Sequence, residues 1–74
     1  MKSRIRNTIR ELRAARSMTQ QKLADLIEVT RQTVVAIEGD KYSPSLEVAF
    51  RIAHVFGVPL EQVFQYHAPA KRRR

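Results

Sequence analysis

The sequence contains no cysteine and only two glycines. Without cysteine it has neither disulfides nor thiolate metal ligands, so apolar packing alone must stabilise the fold. It has no glycine-rich phosphate loop. Its histidines, His54 and His67, lack any carboxylate spacing typical of a metal site or a catalytic triad. We therefore predict no enzyme, no cofactor and no metal.

Long apolar runs are also missing. No stretch approaches the roughly 18 residues of a membrane span, and no hydrophobic segment with a cleavage site follows the basic start. We therefore expect a soluble, cytoplasmic protein with no membrane partner. We expect a single domain, because a chain of 74 residues is too short to support two hydrophobic cores.

Positive charge is abundant and lies mainly at the ends of the chain. The formal net charge is +7, yet residues 17–70 hold four basic and six acidic side chains. We accordingly divide the chain into a basic N-terminal arm (1–6), a folded domain (7–66) and a flexible basic tail (67–74). The charge favours a polyanion such as nucleic acid, but an acidic membrane surface or an acidic protein would also fit. The arm could extend the first helix, pair as a strand in a dimer or lie along phosphates.

Apolar residues recur at helical spacing and predict an all-α fold. Residues typical of helix N-caps precede each apolar run: Asn7 or Thr8, with Glu11 completing a capping box, then Thr19, Thr30 and Ser45. Gly39 and Gly57 suit left-handed helix ends. These boundaries predict five helices: Asn7–Arg16, Gln20–Ile27, Arg31–Glu38, Leu46–Phe56 and Pro59–Gln65.

The second and third helices have the proportions of a helix-turn-helix. Each spans about eight residues, and a three-residue turn separates them, so the first helix can brace the second in a major groove. Leu23, Ile27, Val34 and Ile37 point inward, and Val29 fills the turn. A plain helical bundle could share this apolar pattern.

The outward face of the third helix is unusual for a surface in water. At about 100° per residue, inward Val34 leaves Gln32 pointing outward, flanked by Arg31, Val35 and Ala36. Glutamine can pair with adenine, arginine with guanine, and small apolar groups with the thymine methyl, so this face favours reading of DNA bases. Alternatively, Val35 packs against the fourth helix or a protein partner.

Helix starts carry cations where the helix dipole disfavours them. Lys22 lies in the first turn of the second helix and Arg31 begins the third. Such positions suggest a functional anion, and a phosphate at the start of the second helix would meet Gln20, Gln21 and Lys22.

Four short motifs resemble the Cro and phage-repressor class of helix-turn-helix regulators, also called the xenobiotic-response-element type. They are "TQ" opening the second helix, "VTRQTV" opening the third, "IEGDKYSPSLE" leaving it and the "FGV" turn. The resemblance runs from Asn7 to Gln65 and implies a five-helix lambda-repressor-like domain. The chain departs from the common pattern at Ser17 and Glu28, where the class often has glycine, and at Ala36, where it often has a long polar reader.

This resemblance assigns roles to individual positions. Thr30, Arg31, Gln32, Val35 and Ala36 would face the major groove, and Arg13 would form a structural ion pair with Glu38. It also implies phosphate contacts by Gln20 and by Lys41, Tyr42 and Ser43 in the loop after the third helix. Together with Gln21 and Lys22 at the start of the second helix, and Thr30 and Thr33 at the start of the third, these are the predicted phosphate-binding residues.

Two functions fit these observations. The first is a homodimeric, sequence-specific regulator of transcription, a repressor, bound to a palindromic double-stranded operator. Its dimer interface would be the fifth helix, with Val63, Phe64 and Tyr66, or the N-terminal arm. The second is an antitoxin or other protein-interaction module whose DNA binding is secondary.

Overall fold

The computed structural model describes residues 4–68, which form five helices and one two-stranded sheet. Residues 69–74 of the predicted tail (67–74) and the first three residues of the predicted arm lie outside the described residues. The helices are α1 (Ile9–Ala15), α2 (Gln20–Ile27), α3 (Arg31–Glu38), α4 (Leu46–Phe56) and α5 (Leu60–Val63). The strands are β1 (Ile5–Asn7) and β2 (Phe64–Tyr66). Within residues 4–68, no helix is long and apolar enough to cross a membrane.

Three of the predicted N-caps are confirmed. The side chains of Thr19, Thr30 and Ser45 each accept a hydrogen bond from the backbone N–H three residues further on. Each hydroxyl thereby satisfies one of the N–H groups that a helix start leaves without an internal partner. The starts of α2, α3 and α4 consequently match their predicted positions.

The predicted capping box at α1 is wrong. Thr8 makes no side-chain cap, and its hydroxyl instead donates to the backbone carbonyl of Gln62. Asn7 supplies an acceptor, because its side-chain oxygen takes a hydrogen bond from the N–H of Ile9 at 3.1 Å. Thr8 therefore links the start of α1 to α5.

A small antiparallel sheet joins the two ends of the described chain. Ile5, Arg6 and Asn7 pair with Tyr66, Gln65 and Phe64. As a result α1 begins two residues later than predicted, and the fifth helix stops at Val63, with Phe64 already extended. Residues 5–7 thus pair within their own chain, across the boundary that we predicted between arm and domain.

The core lies where all five helices meet. It is built from the apolar positions predicted for each helix, and Val63 is fully buried in it. Val63 therefore cannot serve the dimer interface for which we proposed it. Leu46, although it shares the helical spacing, lies on the first turn of α4 and is 69% exposed.

Two arginines donate hydrogen bonds to the last backbone carbonyls of α4 and α2, and the sequence did not predict these contacts. Arg16 donates to the carbonyl of Phe56 at 2.7 Å, and its guanidinium lies 5.0 Å from the centre of the Phe56 ring. Arg51 donates to the carbonyl of Ile27 at 2.9 Å. Cations at helix C-termini satisfy free carbonyls and match the negative end of the dipole, so both contacts stabilise the fold.

Left-handed backbone occurs at the ends of helices. Gly57 has φ of 70° as predicted, but Gly39 has φ of −86° and the left-handed residue after α3 is Asp40, at 60°. Ser17 and Glu28 have φ of 52° and 63°. Both occupy positions where the Cro and phage-repressor class often has glycine. The turn between α2 and α3 therefore keeps the glycine-type conformation without glycine.

Replacing Glu28 tests the strain in this turn. Glu28→Gly should unfold with a free energy up to about 1 kcal/mol above that of Glu28→Ala, because glycine alone has no Cβ to strain a left-handed backbone. Both variants lose the exposed ion pair with Arg51, whose atoms lie 3.8 Å apart, so the comparison isolates the backbone. Urea unfolding measures the difference. Equal stability of the two variants would contradict a strained turn.

Candidate nucleic-acid interface

An open groove of about 580 Å³ runs beside α3, and we call it the α3 groove. It contains all four predicted base-reading residues, together with residues from α1, from α2 and from the loop after α3. Its lining residues are Arg10, Gln20, Arg31, Gln32, Val35, Ala36, Glu38, Gly39 and Lys41. The capped start of α3 brings the first turn of the helix to this surface.

Val35 is the apolar side chain in the middle of this face. One of our alternatives required Val35 to be buried against α4. The side chain is 43% exposed, so that alternative is wrong. Arg31 and Gln32 are exposed beside it, and Ala36 is half-buried. The four residues therefore form one surface with two polar and two apolar members.

Glu38 ends α3 beneath this surface. Its side chain is 1% exposed, and its two oxygens accept bonds from Nε and Nη2 of Arg13 at 2.6 and 3.0 Å. Gln20 adds a third bond, at 3.1 Å. Glu38 thus holds α1, α2 and α3 together, and the ion pair implied by the resemblance is present.

Arg13 makes a further hydrogen bond to the backbone just after α1. Its Nη1 donates to the carbonyl of Met18 at 2.8 Å. The hydrogen bond to Glu38 raises the pKa of the Arg13 guanidinium above its ordinary value, and the carboxylate charge adds to this increase while burial opposes it. Arg13 therefore remains a cation at every pH at which the domain would be studied.

The predicted phosphate contacts at the start of α2 have different surroundings. Gln20 donates its amide to Glu38, whereas Gln21 donates to Asp25 at 2.9 Å along its own helix. Lys22 is exposed, and its backbone N–H is bonded to the Thr19 hydroxyl. Of the three side chains, Gln20 alone lines the α3 groove.

Thr30 and Thr33 lie at the start of α3. Their hydroxyls are 3.0 Å apart, and the Thr30 hydroxyl also accepts from the Thr33 N–H at 3.2 Å. A phosphate there would share these hydroxyls with the helix cap.

The loop after α3 divides the remaining predicted phosphate contacts. Lys41 lines the α3 groove, and its N–H is bonded to the carbonyl of Ala36 at 2.9 Å. Tyr42 and Ser43 are exposed but border a different cavity, of about 10 Å³, beside Asn7 and Asp40. The structure therefore does not bring all three loop residues to one site.

Arg10 is a residue of the groove that sequence reasoning missed. Its side chain is 72% exposed, yet it lines the α3 groove and its Nε lies 4.0 Å from Glu38. The signal was present, because Arg10 precedes Arg13 by three residues and so shares its helix face.

Comparison with known proteins identifies the family. The helix-turn-helix model matches residues 9–63, and the chain belongs to that family, in its Cro and phage-repressor form. The family comprises DNA-binding regulators of transcription, so the chain is a regulator and not an enzyme.

Three similar proteins illustrate its breadth. An uncharacterised helix-turn-helix-type transcriptional regulator of Methanocaldococcus jannaschii is 47% identical over 62 residues, which cover 84% of this chain and 94% of the relative. The cryptic phage CTXphi transcriptional repressor RstR of Vibrio cholerae is 36% identical over 55 residues, covering 74% of this chain and 50% of RstR. The structure of the restriction-modification controller protein C.AhdI from Aeromonas hydrophila has a TM-score of 0.68 at 28% identity, covering 73% and 82% of the two chains.

Removing Arg13 should destabilise the domain strongly. In Arg13→Met the buried Glu38 carboxylate loses its cation, which typically costs about 3–5 kcal/mol. Arg10→Met is the matched control, since Arg10 is 72% exposed and should contribute less than about 0.5 kcal/mol. Urea unfolding of the two variants measures both effects. Similar losses in both, or no loss in Arg13→Met, would show that the buried pair does not hold the helices together.

Proposed function

We propose that the protein is a homodimeric, sequence-specific regulator of transcription that inserts α3 into the major groove of double-stranded DNA. One observation carries this proposal: the exposed face of α3 combines Arg31, Gln32, Val35 and Ala36 within a groove of positive charge. Arg10, Arg31 and Lys41 against Glu38 give the lining a net charge of +2. Such a surface suits a polyanion that also displays base edges.

Each member of the face has a counterpart on DNA. Gln32 can bond N6 and N7 of adenine, and Arg31 can bond O6 and N7 of guanine. The methyl groups of Val35 and Ala36 suit the C5-methyl group of thymine. We therefore expect a half-site that contains adenine, thymine and guanine.

Contacts to the sugar–phosphate backbone would fix the register of α3. We assign them to Gln20, Gln21, Lys22, Thr30, Thr33, Lys41, Tyr42 and Ser43. Lys41 has the strongest support, because its side chain lines the groove and carries a full charge. Gln21, Thr30 and Thr33 would have to share groups that already bond within the chain.

A second copy of the chain would supply the other half-site, because one helix-turn-helix of this size makes too few contacts for specific affinity. With Val63 buried, we assign the dimer interface to the sheet. Ile5 and Tyr66 are opposite each other in register, so their side chains share one face of the sheet, and both are exposed.

A repressor is the form of regulation that we infer. The name of the Vibrio cholerae relative describes a transcriptional repressor. A dimer that covers two half-sites about one helical turn apart would block access to the DNA between them.

The alternative is a protein-interaction module such as an antitoxin. Exposed apolar side chains at Val35, Leu26 and Phe50 favour it. Under this alternative Val35→Asp would abolish capture of a stoichiometric protein partner while Gln32→Ala would not.

Gln32→Ala tests the base-reading role. It should lower affinity for the preferred duplex about ten- to a hundredfold, which is the discrimination of one bidentate contact, and leave affinity for unrelated duplexes unchanged. Gln62→Ala, at an exposed glutamine of α5, is the control. Gel shifts at about 150 mM salt, where non-specific binding is weak, measure both. Absence of any sequence preference in the unaltered protein would refute the proposed function.

Tyr66→Ser tests the dimer interface. The substitution removes a ring that is 68% exposed, so it should weaken dimerisation with little change in the stability of each subunit. Leu46→Ser removes an equally exposed side chain from α4 and should leave the dimer intact. Sedimentation equilibrium measures both. A dimer lost in Leu46→Ser and kept in Tyr66→Ser would move the interface to α4.

A further inference from the structure

We propose that Arg10, on α1, is a ligand for a phosphate of the DNA backbone at the edge of the α3 groove. This inference rests on the proposed DNA-binding function and adds a contact from a helix to which we had assigned none. The ligand is a phosphodiester of the same duplex that α3 reads.

The surroundings of Glu38 show why Arg10 is available. Arg13 already bonds both carboxylate oxygens, and Gln20 bonds one of them again. Arg10 approaches the same carboxylate only to 4.0 Å, which is too long for a hydrogen bond. Two guanidinium groups thus face one carboxylate, and the outer one retains an uncompensated charge.

The exposure of the two arginines divides their roles. Arg13 has a side chain that is 14% exposed, whereas that of Arg10 is 72% exposed. An exposed ion pair at the limit of contact distance contributes little to stability, so Arg10 can leave Glu38 at almost no cost. Arg13 cannot, because its departure would strand a buried charge.

The neighbours of Arg10 favour a phosphate over a base edge. The proposed base readers all lie on α3, which would fill the major groove, whereas Arg10, Gln20 and Lys41 line the same groove from α1, α2 and the loop after α3. Arginine, lysine and glutamine side chains flanking a recognition helix are the usual donors to backbone phosphates. Guanidinium also presents a planar pair of donors that match two phosphate oxygens.

The test is the salt dependence of DNA binding in Arg10→Gln. Each phosphate contact contributes about 0.9 to the slope of log affinity against log salt concentration, so the slope should fall by about that amount per half-site bound. The same slope change predicts about an eightfold loss of affinity at 0.1 M salt per half-site. Preferred and unrelated duplexes should lose affinity equally, because a phosphate carries no sequence information.

Two further variants control for charge and fold. Arg10→Lys keeps the cation and should recover most of the slope. Arg51→Gln removes the same charge from a residue of α4 that pairs with Glu28 of the α2–α3 turn and with Glu47 and does not line the groove, so it should leave the slope unchanged. Circular dichroism verifies that all variants fold.

The outcomes separate the two proposals. An unchanged slope in Arg10→Gln, with the original protein binding DNA specifically, would overturn the assignment of Arg10 and leave the proposed function standing. A loss confined to the preferred duplex would also overturn it, since it would mark Arg10 as a base contact. If the original protein binds no duplex, the proposed function fails and the assignment of Arg10 fails with it.

Discussion

The rest of the structure depends on one interaction, the ion pair between Arg13 and the buried carboxylate of Glu38. A charged group that is almost wholly removed from water is costly unless every oxygen is paired. Arg13 and Gln20 provide that pairing, and they come from α1 and α2. The requirement to satisfy one carboxylate therefore fixes how α1 and α2 meet the C-terminal end of α3.

A second set of polar contacts holds the same end of α3 from the other side. The Asn7 amide donates to the carbonyl of Ile37 at 2.9 Å and to Asp40 at 3.2 Å. Since Asn7 also belongs to β1, the sheet that joins the two ends of the described chain is linked directly to the C-terminal end of α3. The C-terminal end of α3 is therefore held by residues of α1, α2 and β1, an ordering that would favour specific binding by the proposed reading face.

Much of this arrangement followed from local rules. The N-caps of α2, α3 and α4 were predictable because a hydroxyl before an apolar run has one favoured role. The face of Arg31, Gln32, Val35 and Ala36 followed from helical geometry once Val34 pointed inward. The Arg13–Glu38 pair, by contrast, came from family resemblance, because its two residues lie 25 positions apart.

What the sequence left open depends on long-range packing. The strands contain three residues each, too few to display a period of two, and their pairing joins residues about sixty positions apart. Arg16 is exposed at the C-terminal end of α1, yet it donates to the last carbonyl of α4, a contact that only the packing of the two helices creates. The prediction that Gly39 would be left-handed was also wrong, because the left-handed residue is the next one, Asp40.

Selection of bound duplexes from a random DNA pool tests most directly the proposal that the α3 surface reads base sequence as part of a two-fold dimer. We expect enrichment of an inverted repeat whose half-sites are centred about 10 base pairs, or a multiple of that distance, apart. Failure to enrich any sequence over repeated rounds would contradict it.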